Sequence, residues 1–422
     1  MLKTPNSIDL SKLFFWIFLI SIFTFRIPNF YILPVLPSSF LTIQAIARTL
    51  MTFIFLYNIF SAFITNTSLF KKTNHQYIFL LILFLFVIQS VSIVSTQNVS
   101  AFLSRYKDII LGILSCFNFY FYREQYKIIT AVLILALPIN FLYQLLMILN
   151  NNLFVTLFQP LIYSKHFEVV LINLARSRTY IETYDEIIIP LLFVYFHDKF
   201  NYLSISNLLI AFLAFISNWR IRVAMFIVAF ISSFLFLFKQ KFSLLKIFFI
   251  FISLVVISYA VDSLLLSRSG FSFYDRILLT EESDVQTITS RFDQIQIGFD
   301  LAKNNILGVG LGNYYDHLPQ SHKINMNINS LAERQGEIAN EYIHNYFGLL
   351  AAESGFISLF VFIILLFIFI TSDLNIMFKS KNQYKKAFVI SFWTLFLFAM
   401  LNPLVPGSSQ VLFWGIRGLL ID

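Results

Sequence analysis

Charged residues are scarce in this sequence. Only 12% of its 422 residues are Asp, Glu, Lys or Arg, whereas about a quarter of the residues of soluble domains are charged. Hydrophobic residues make up 58% of the chain, and its mean hydropathy is +0.77. This composition excludes a water-soluble fold.

Cysteine is almost absent, which limits the possible chemistry. Cys116 is the one cysteine and lies in an apolar run, so an intrachain disulfide and a Cys-based metal site are excluded. HExxH, a paired-Asp run and GxxxxGK[ST] are missing, and GVGLGN has Asn313 where a dinucleotide loop needs its last glycine. We therefore expect neither a metal nor a cofactor.

Long apolar stretches recur along the chain. In lipid, each such stretch must satisfy its backbone polar groups within itself, which an α-helix of ~20 residues does while crossing the hydrocarbon core. The sequence thus predicts an all-α, polytopic integral membrane bundle of about 11 to 12 transmembrane helices. The predicted spans lie at roughly 12–32, 40–65, 77–95, 108–122, 128–149, 185–198, 204–219, 221–238, 244–262, 345–371, 386–403 and, as a shorter last segment, 408–421.

Lysine and arginine mark one side of this bundle. They concentrate in alternate short connections, and by the positive-inside bias that side is the cytoplasm. The net charge of +8 follows from this topology, so nucleic acid is not an expected partner. The first apolar run has no small-residue cleavage site, and we expect its helix to be retained. The basic groups are Lys3 with Lys12, Lys71 with Lys72, Arg123 to Lys127, Lys199, Lys239 to Lys246, and Lys379 to Lys386.

Two connections on the predicted exterior side are long, at about 150–184 and 263–344. We treat residues 1–422 as a single transmembrane domain with these two exterior loops. The second loop has ten acidic and six basic residues between Ser263 and Tyr342 in an otherwise basic chain, as expected of a solvated segment.

The main exterior loop contains a helical pattern followed by glycines. In TITSRFDQIQIGFDLAKNN, the apolar residues Phe292, Ile295, Phe299 and Ala302 fall on one helical face, which predicts an amphipathic helix on the membrane surface. The following ILGVGLGNYYDH contains Gly308, Gly310 and Gly312, which permit a tight turn and a close backbone approach.

Exterior arginines are the first candidates for chemistry. SNWRIRVAMF places Arg220 and Arg222 at a short exterior turn, where the charge bias disfavours them. Charges at a membrane edge are functional candidates by default, although long basic side chains can also simply reach the lipid headgroups. Guanidinium groups that converge suit a phosphate or diphosphate, because their planar fork donates paired hydrogen bonds to oxyanions. Further candidates are Arg176 and Arg178 before the next span, and Arg291 at the start of the predicted surface helix.

His344 lies where the long loop re-enters the membrane, in NEYIHNYFGLLAAESGF. An imidazole with a pKa near 6.5 suits proton abstraction near neutral pH. The alternative reading is an interfacial histidine wetted by water.

These residues, taken in order, resemble the O-antigen ligase and O-antigen polymerase superfamily of bacterial envelope polysaccharide assembly. The resemblance rests on Arg176 with Arg178, a turn arginine at Trp219-Arg220, SRFDQIQIGFDLAKNNILGVGLGNYY, and HNYFGLLAAESG from His344 to Gly355. The family's Ser-Arg turn is Trp-Arg here, and Arg222 leaves the alignment open by two positions.

The resemblance implies a metal-independent membrane glycosyltransferase that takes oligosaccharide repeats from undecaprenyl diphosphate on the periplasmic or outer face. It implies His344 as general base, Arg220 and Arg291 as catalytic, and Arg176, Arg178 and Arg222 as diphosphate ligands. Substrate contacts are expected from Gly310, Gly312, Asn313, Asn345 and Glu353. The implied location is the bacterial inner membrane, and the implied partners are the lipid bilayer, the lipid-linked glycan, a chain-length regulator and a flippase.

Two other functions stay open. A ligase differs from a polymerase only in its acceptor, and we favour polymerase. A polysaccharide or lipid transporter, such as a flippase, would more often show inverted repeats and ionisable residues near the bilayer midplane, whereas the candidates here lie at one face.

Overall fold

Helices make up the described part of the chain. The computed structural model describes residues 10–32, 41–65, 70, 73–164, 167–168, 170–171, 184–197, 200–217, 220–237, 244–269, 272, 274, 294–317, 343, 345–401 and 407–421. Within these ranges there is no β-strand, only isolated bridges that pair Phe30 with Ile162 and Tyr31 with Thr42. The all-α fold class is confirmed.

Several connections between the α-helices contain a turn of 3-10 helix, such as Ser92–Ser95 and Asp185–Ile188. In chain order they are α1 Leu10–Phe25, α2 Ile43–Ile64, α3 Thr73–Val91, α4 Val99–Phe121, α5 Tyr126–Leu135, α6 Leu137–Leu149, α7 Asn151–Phe158, α8 Ile189–Tyr195, α9 Phe200–Ile216, α10 Arg220–Leu237, α11 Leu244–Ser269, α12 294–304, α13 Tyr346–Lys379, α14 Gln383–Leu401 and α15 Gly407–Leu420.

Several of these helices can cross a bilayer. Within the described ranges, five segments combine sufficient length with high hydropathy: Ile43–Ile64, Thr73–Ser95, Arg123–Leu149, Arg220–Leu237 and Tyr346–Lys379. Shorter apolar helices, such as α1, lie beside them. The chain is therefore a multi-span membrane protein.

The span predicted at 128–149 is divided into two helices. α5 ends at Leu135, and α6 begins at Leu137 with Pro138 in its first turn. Proline has no backbone N–H, and its ring collides with the preceding turn of a helix, so it tends to bend a span where it occurs.

α4 begins at Val99, not at the predicted 108. The predicted span began at Asp108 and left out Arg105 and Lys107, because charges raise the cost of a membrane helix. Two of these charged residues have partners: Arg105 lies 3.7 Å from Glu353, and Asp108 lies 3.8 Å from Arg48. Pairing of this kind lets charged residues lie within the helix.

α15 is the short last span expected at 408–421, and it packs between α4 and α14. The Ser115 hydroxyl of α4 donates to the Val411 carbonyl at 2.7 Å. Arg417 is fully buried and contacts Asp373 of α13 at 2.8 Å. α15 is thus a core helix.

The two ends of the bundle differ in their connections. At one end, the Tyr126 hydroxyl donates to the Leu419 carbonyl at 3.0 Å, and Lys385 lies 6.0 Å from the Tyr126 ring. Two of the basic connections therefore meet there, as expected of the predicted cytoplasmic side. The α3–α4 connection and the glycines after α12 meet at the other end, the predicted exterior end.

The predicted amphipathic segment is helical over 294–304, as α12. Its Ile295 and Leu301 pack against Leu349 and Ala352 of α13, and the Phe299 ring stacks on Phe356 at 6.2 Å. Phe292 lies outside the described residues. The apolar face of α12 is thus covered largely by α13.

Candidate functional site

The candidate site is built around a break in α13. Gly355 has φ 79° and ψ 174°, a conformation open essentially only to glycine. A Cβ at this position would overlap the carbonyl oxygen of Ile306. The helix therefore consists of a short half up to Ser354, which we call the exterior half after its predicted side, and a long half beyond Gly355.

The break exposes carbonyl groups that a neighbouring loop satisfies. The last carbonyls of a helix have no partner within it. Here the carbonyls of Ala352 and Glu353 accept hydrogen bonds from the N–H groups of Val309 at 2.8 Å and Gly310 at 3.0 Å. Residues 308–313, which we call the glycine loop, are thereby attached to the broken helix.

The glycine loop can approach so closely because of its backbone conformation. Gly308, Gly310 and Gly312 all have positive φ, at 78°, 95° and 72°. A Cβ on Gly308 would overlap the main chain of Glu353. The two sequence motifs, NNILGVGLGN and AESG, are therefore two halves of one interlocked structure.

A second set of contacts joins the glycine loop to the α3–α4 connection. The Ser95 hydroxyl donates to the Gly308 carbonyl at 2.7 Å. The Asn98 N–H donates to Asn313 Oδ1 at 2.6 Å, and Asn313 Nδ2 donates to the Asn98 carbonyl at 3.3 Å. Since the Asn98 side chain also caps α4 by accepting from Ala101, the loop is fixed at the start of that helix.

Glu353 places a carboxylate at this junction. It is buried, and its Oε1 accepts from the Gly312 N–H at 3.0 Å. Its Oε2 lies 3.7 Å from Nη2 of Arg105, which is also buried. Sequence reasoning missed Arg105, because the predicted span began after it.

Asn345 opens α13. Its Oδ1 accepts from the Gly348 N–H at 3.0 Å, and its Nδ2 donates to the Met400 carbonyl of α14 at 3.0 Å. It therefore caps the exterior half of α13 and ties it to the end of α14.

A second cluster surrounds the predicted arginine turn. Arg222 is 4% exposed, and its Nε donates to Glu186 Oε1 at 2.7 Å while its Nη1 donates to Gln144 Oε1 at 3.1 Å. Only its Nη2 has no hydrogen-bond partner within the described residues. Arg220, the first residue of α10, is partly exposed. The two arginines thus differ in environment, which their spacing alone does not reveal.

A parallel charge pair lies beside the first. Arg26 Nη2 donates to Asp185 Oδ1 at 2.7 Å, and both side chains are fully buried. Asn140 Nδ2 donates to the same Asp185 oxygen and to the Arg26 carbonyl, each at 2.9 Å. Buried charges are retained where they are paired and hydrogen-bonded. In the sequence, the signal for this cluster is a pair of acidic residues, Asp185 and Glu186, directly before the apolar run IIIPLLFVYF.

The C-terminal end of α14 connects the two clusters. The Phe398 ring lies 4.2 Å from that of Tyr184, the neighbour of Asp185, and the Met400 carbonyl accepts from Asn345. The arginine turn and the first turn of α13 therefore flank the same helix end.

The predicted site residues fall into three groups. Gly310 and Gly312 donate to Glu353, and Asn313 donates to the Gly310 carbonyl, with Asn345 at the other end of the same half-helix. Arg220 and Arg222 belong to the second cluster. Outside the described residues lie Arg176, Arg178, Arg291 and His344, so their roles stay predictions. In the described part of the chain, no three His, Cys, Asp or Glu side chains are grouped as metal ligands.

Comparison with known families finds a match within the chain. The family model described as O-antigen ligase matches residues 205–363. This segment, less than half of the chain, is similar to the O-antigen ligase and O-antigen polymerase superfamily. No curated protein matches it. The matched segment contains the arginine turn, the glycine loop and the exterior half of α13 with its break, whereas Arg105 and Glu186 precede it. The match confirms the resemblance read from the motifs and supports a membrane enzyme of the O-antigen ligase or polymerase type.

Proposed function

We propose that this chain transfers a glycan from an undecaprenyl-diphosphate carrier to a hydroxyl group of an acceptor glycan, at the exterior face of the bacterial inner membrane. The family match over residues 205–363 carries the proposal, because that segment includes most of the predicted site. The single transmembrane domain, with exterior loops at 150–184 and 263–344, would present the site to that face.

In the proposed reaction, His344 takes the proton of the acceptor hydroxyl as its oxygen attacks the anomeric carbon of the donor. The bond between that carbon and the diphosphate oxygen breaks, and undecaprenyl diphosphate leaves with its negative charge. Guanidinium groups stabilise the leaving diphosphate as its charge develops. No metal is needed in this scheme, because arginines supply the positive charge.

The difference in exposure within the arginine turn favours Arg220 as a ligand of the diphosphate. Glu186 neutralises Arg222 at 2.7 Å, and Gln144 occupies a second of its nitrogens. We assign Arg222 to holding the turn in place and Arg220, which is partly exposed, to binding. Arg176, Arg178 and Arg291 are proposed as further ligands from the exterior loops.

The other predicted site residues act in this proposal by shaping the site. The N–H groups of Gly310 and Gly312 donate to Glu353, and Asn313 and Asn345 are bonded to main-chain groups. These contacts support a role in forming the wall beside the acceptor.

We propose polymerisation, in which the acceptor is a second lipid-linked repeat. The description of the matching family model favours a second candidate, ligation to a different acceptor such as lipid A-core. A chain-length regulator and a flippase remain proposed partners for either reaction.

A three-way assay separates the candidates. The purified chain is incubated with an undecaprenyl-diphosphate-linked repeat alone, with that donor plus lipid A-core, and, in sealed vesicles, with a labelled donor whose translocation is followed. Glycan ladders from the donor alone support polymerisation, and product only with lipid A-core supports ligation. Translocation without any transfer would overturn the enzyme proposal. Undiminished transfer in EDTA is expected.

A further inference from the structure

One buried ion pair at the site has no part in the proposed chemistry. Arg105 of α4 and Glu353 of α13 approach to 3.7 Å, and both side chains are nearly inaccessible to solvent. Charges buried in a membrane protein are costly and are usually found where function requires them. The pair lies at the predicted exterior end, where α4 and the broken helix meet the glycine loop.

We propose that Arg105 and Glu353 are positioning residues, which hold the exterior half of α13 and thereby set the placement of its first residues for glycan transfer. This inference rests on the proposed function, since it assigns His344, the sequence neighbour of Asn345, to that reaction.

Glu353 holds three partners at once. Its side chain accepts from the Gly312 N–H at 3.0 Å, its carbonyl accepts from the Gly310 N–H at 3.0 Å, and its charge faces Arg105. The glycine loop is in turn bonded to Ser95 and Asn98 at the start of α4. Glu353 is therefore where α4, the loop and α13 are joined.

The exterior half of α13 connects Glu353 to the first residues of the helix. From Asn345 to Glu353 the helix rises about 12 Å at 1.5 Å per residue. The non-helical Gly355 separates this half from the rest of α13, so the long half beyond it controls its orientation less directly. One end of the half-helix is capped by Asn345, and the other is held by Glu353. A shift at Glu353 would tilt the segment and move its first residue.

The same helix offers a matched control beyond the break. Asp373 is buried and paired with Arg417 of α15, whose Nη1 contacts both carboxylate oxygens at 2.8 Å. Trp393 Nε1 also donates to Asp373, at 2.9 Å. This pair joins α13 to neighbouring helices as Arg105–Glu353 does, but it lies toward the opposite end of the helix.

The test compares Glu353→Gln, Arg105→Gln with Glu353→Gln, and Asp373→Asn. The amide introduced by Glu353→Gln retains an oxygen that can accept from Gly312, but it carries no charge and leaves Arg105 without this counter-charge. We expect Glu353→Gln to lower kcat roughly 10-fold to 100-fold, with KM for the lipid-linked donor within about 3-fold, because small displacements of reacting groups cost that much. The double variant, in which neither charge remains, is expected to regain at least about 3-fold in kcat over the single variant, as coupled residues do.

Asp373→Asn is expected to lower the melting temperature while kcat per folded molecule stays within about 2-fold of wild type, as a purely structural pair would. Equal kcat losses in Glu353→Gln and Asp373→Asn, or no recovery in the double variant, would overturn the positioning role.

A second readout does not depend on activity. Cysteines placed at the exposed Val94 and Leu307, the sequence neighbours of the hydrogen-bonded Ser95 and Gly308, are joined with a short bifunctional thiol reagent, with each single-cysteine variant as control for the buried Cys116. Cross-linking is expected with native Glu353 and should fall at least about 3-fold with Glu353→Gln, because the loop loses a charge-assisted attachment. Unchanged cross-linking would contradict the inference. If the wild-type chain transfers no glycan to any acceptor, the proposed function fails, whereas the cross-linking result still decides whether Glu353 holds the loop.

Discussion

Arg222 and Glu186 form a buried ion pair in which Nε and Oε1 are 2.7 Å apart, directly beside the equally buried pair of Arg26 and Asp185. Because Asp185 and Glu186 are consecutive, a single turn between the first long loop and α8 anchors both arginines. The arginine turn at the start of α10 thus has a fixed position against α6 and α8.

Removing one member of this pair should destabilise the protein. Glu186→Ala leaves Arg222 buried without its carboxylate, which typically costs about 3–5 kcal/mol. We expect a clearly lower melting temperature and a lower yield in detergent. Glu124→Ala, which removes an exposed carboxylate, is the control and should melt like wild type. Equal melting of Glu186→Ala and wild type would show that the pair contributes nothing.

Arg220 should behave differently from Arg222. Since Arg220 is partly exposed and assigned to the diphosphate, Arg220→Ala is expected to raise KM for the lipid-linked donor at least about 10-fold, the loss of a charge-assisted contact, with little change in melting temperature. Lys303→Ala, on α12 at the same predicted side, removes an exposed cation and should leave KM unchanged. The assignment fails if Lys303→Ala raises KM as much as Arg220→Ala.

The break in α13 requires glycine. Gly355→Ala must adopt a backbone conformation that costs roughly 1–3 kcal/mol, and its methyl group meets the Ile306 carbonyl. We expect poor folding, measured as a loss of monodisperse protein in size-exclusion chromatography. Ser358→Ala, in the following turn, loses one hydroxyl bond to the Ser354 carbonyl and should cost no more than about 1.5 kcal/mol. A well-folded Gly355→Ala protein would contradict the geometry.

Asn313 joins the glycine loop to α4. Asn313→Ala removes the acceptor of the Asn98 N–H and the donor to the Leu311 carbonyl, and each such hydrogen bond contributes about 0.5–1.5 kcal/mol. Thermal unfolding in detergent measures the loss. Asn375→Ala removes an exposed side chain that donates within its own helix, so a change below about 0.5 kcal/mol is expected there. Similar losses in the two variants would argue against a special role for Asn313.

Much of the fold could be predicted because each segment that crosses lipid must be apolar and must satisfy its backbone polar groups within itself. α10, at Arg220–Leu237, matches the predicted 221–238 almost residue for residue, since uninterrupted hydropathy defines it. The start of α4 could not be found in this way. Arg105 carries a charge that hydropathy counts as part of a loop, and its partner, Glu353, is distant in sequence.

The candidate site was predictable as a set of motifs but not as an arrangement. Gly310, Gly312 and Glu353 were singled out from their sequence patterns, yet the reason they occur together is the break at Gly355, which depends on φ and ψ values that no spacing encodes. Glu186 was missed because a carboxylate at the head of an apolar run gives no sign of the arginine that it pairs with 36 positions later.

The proposed mechanism depends most directly on His344 and Arg220. Purified wild-type chain, His344→Ala and Arg220→Ala are each incubated in detergent with an undecaprenyl-diphosphate-linked repeat, and the product lengths are resolved on a gel. We predict glycan ladders from the wild type, no ladder from His344→Ala because the attacking hydroxyl keeps its proton, and ladders from Arg220→Ala only at raised donor concentration. Ladders of wild-type length and yield from both variants would contradict the mechanism.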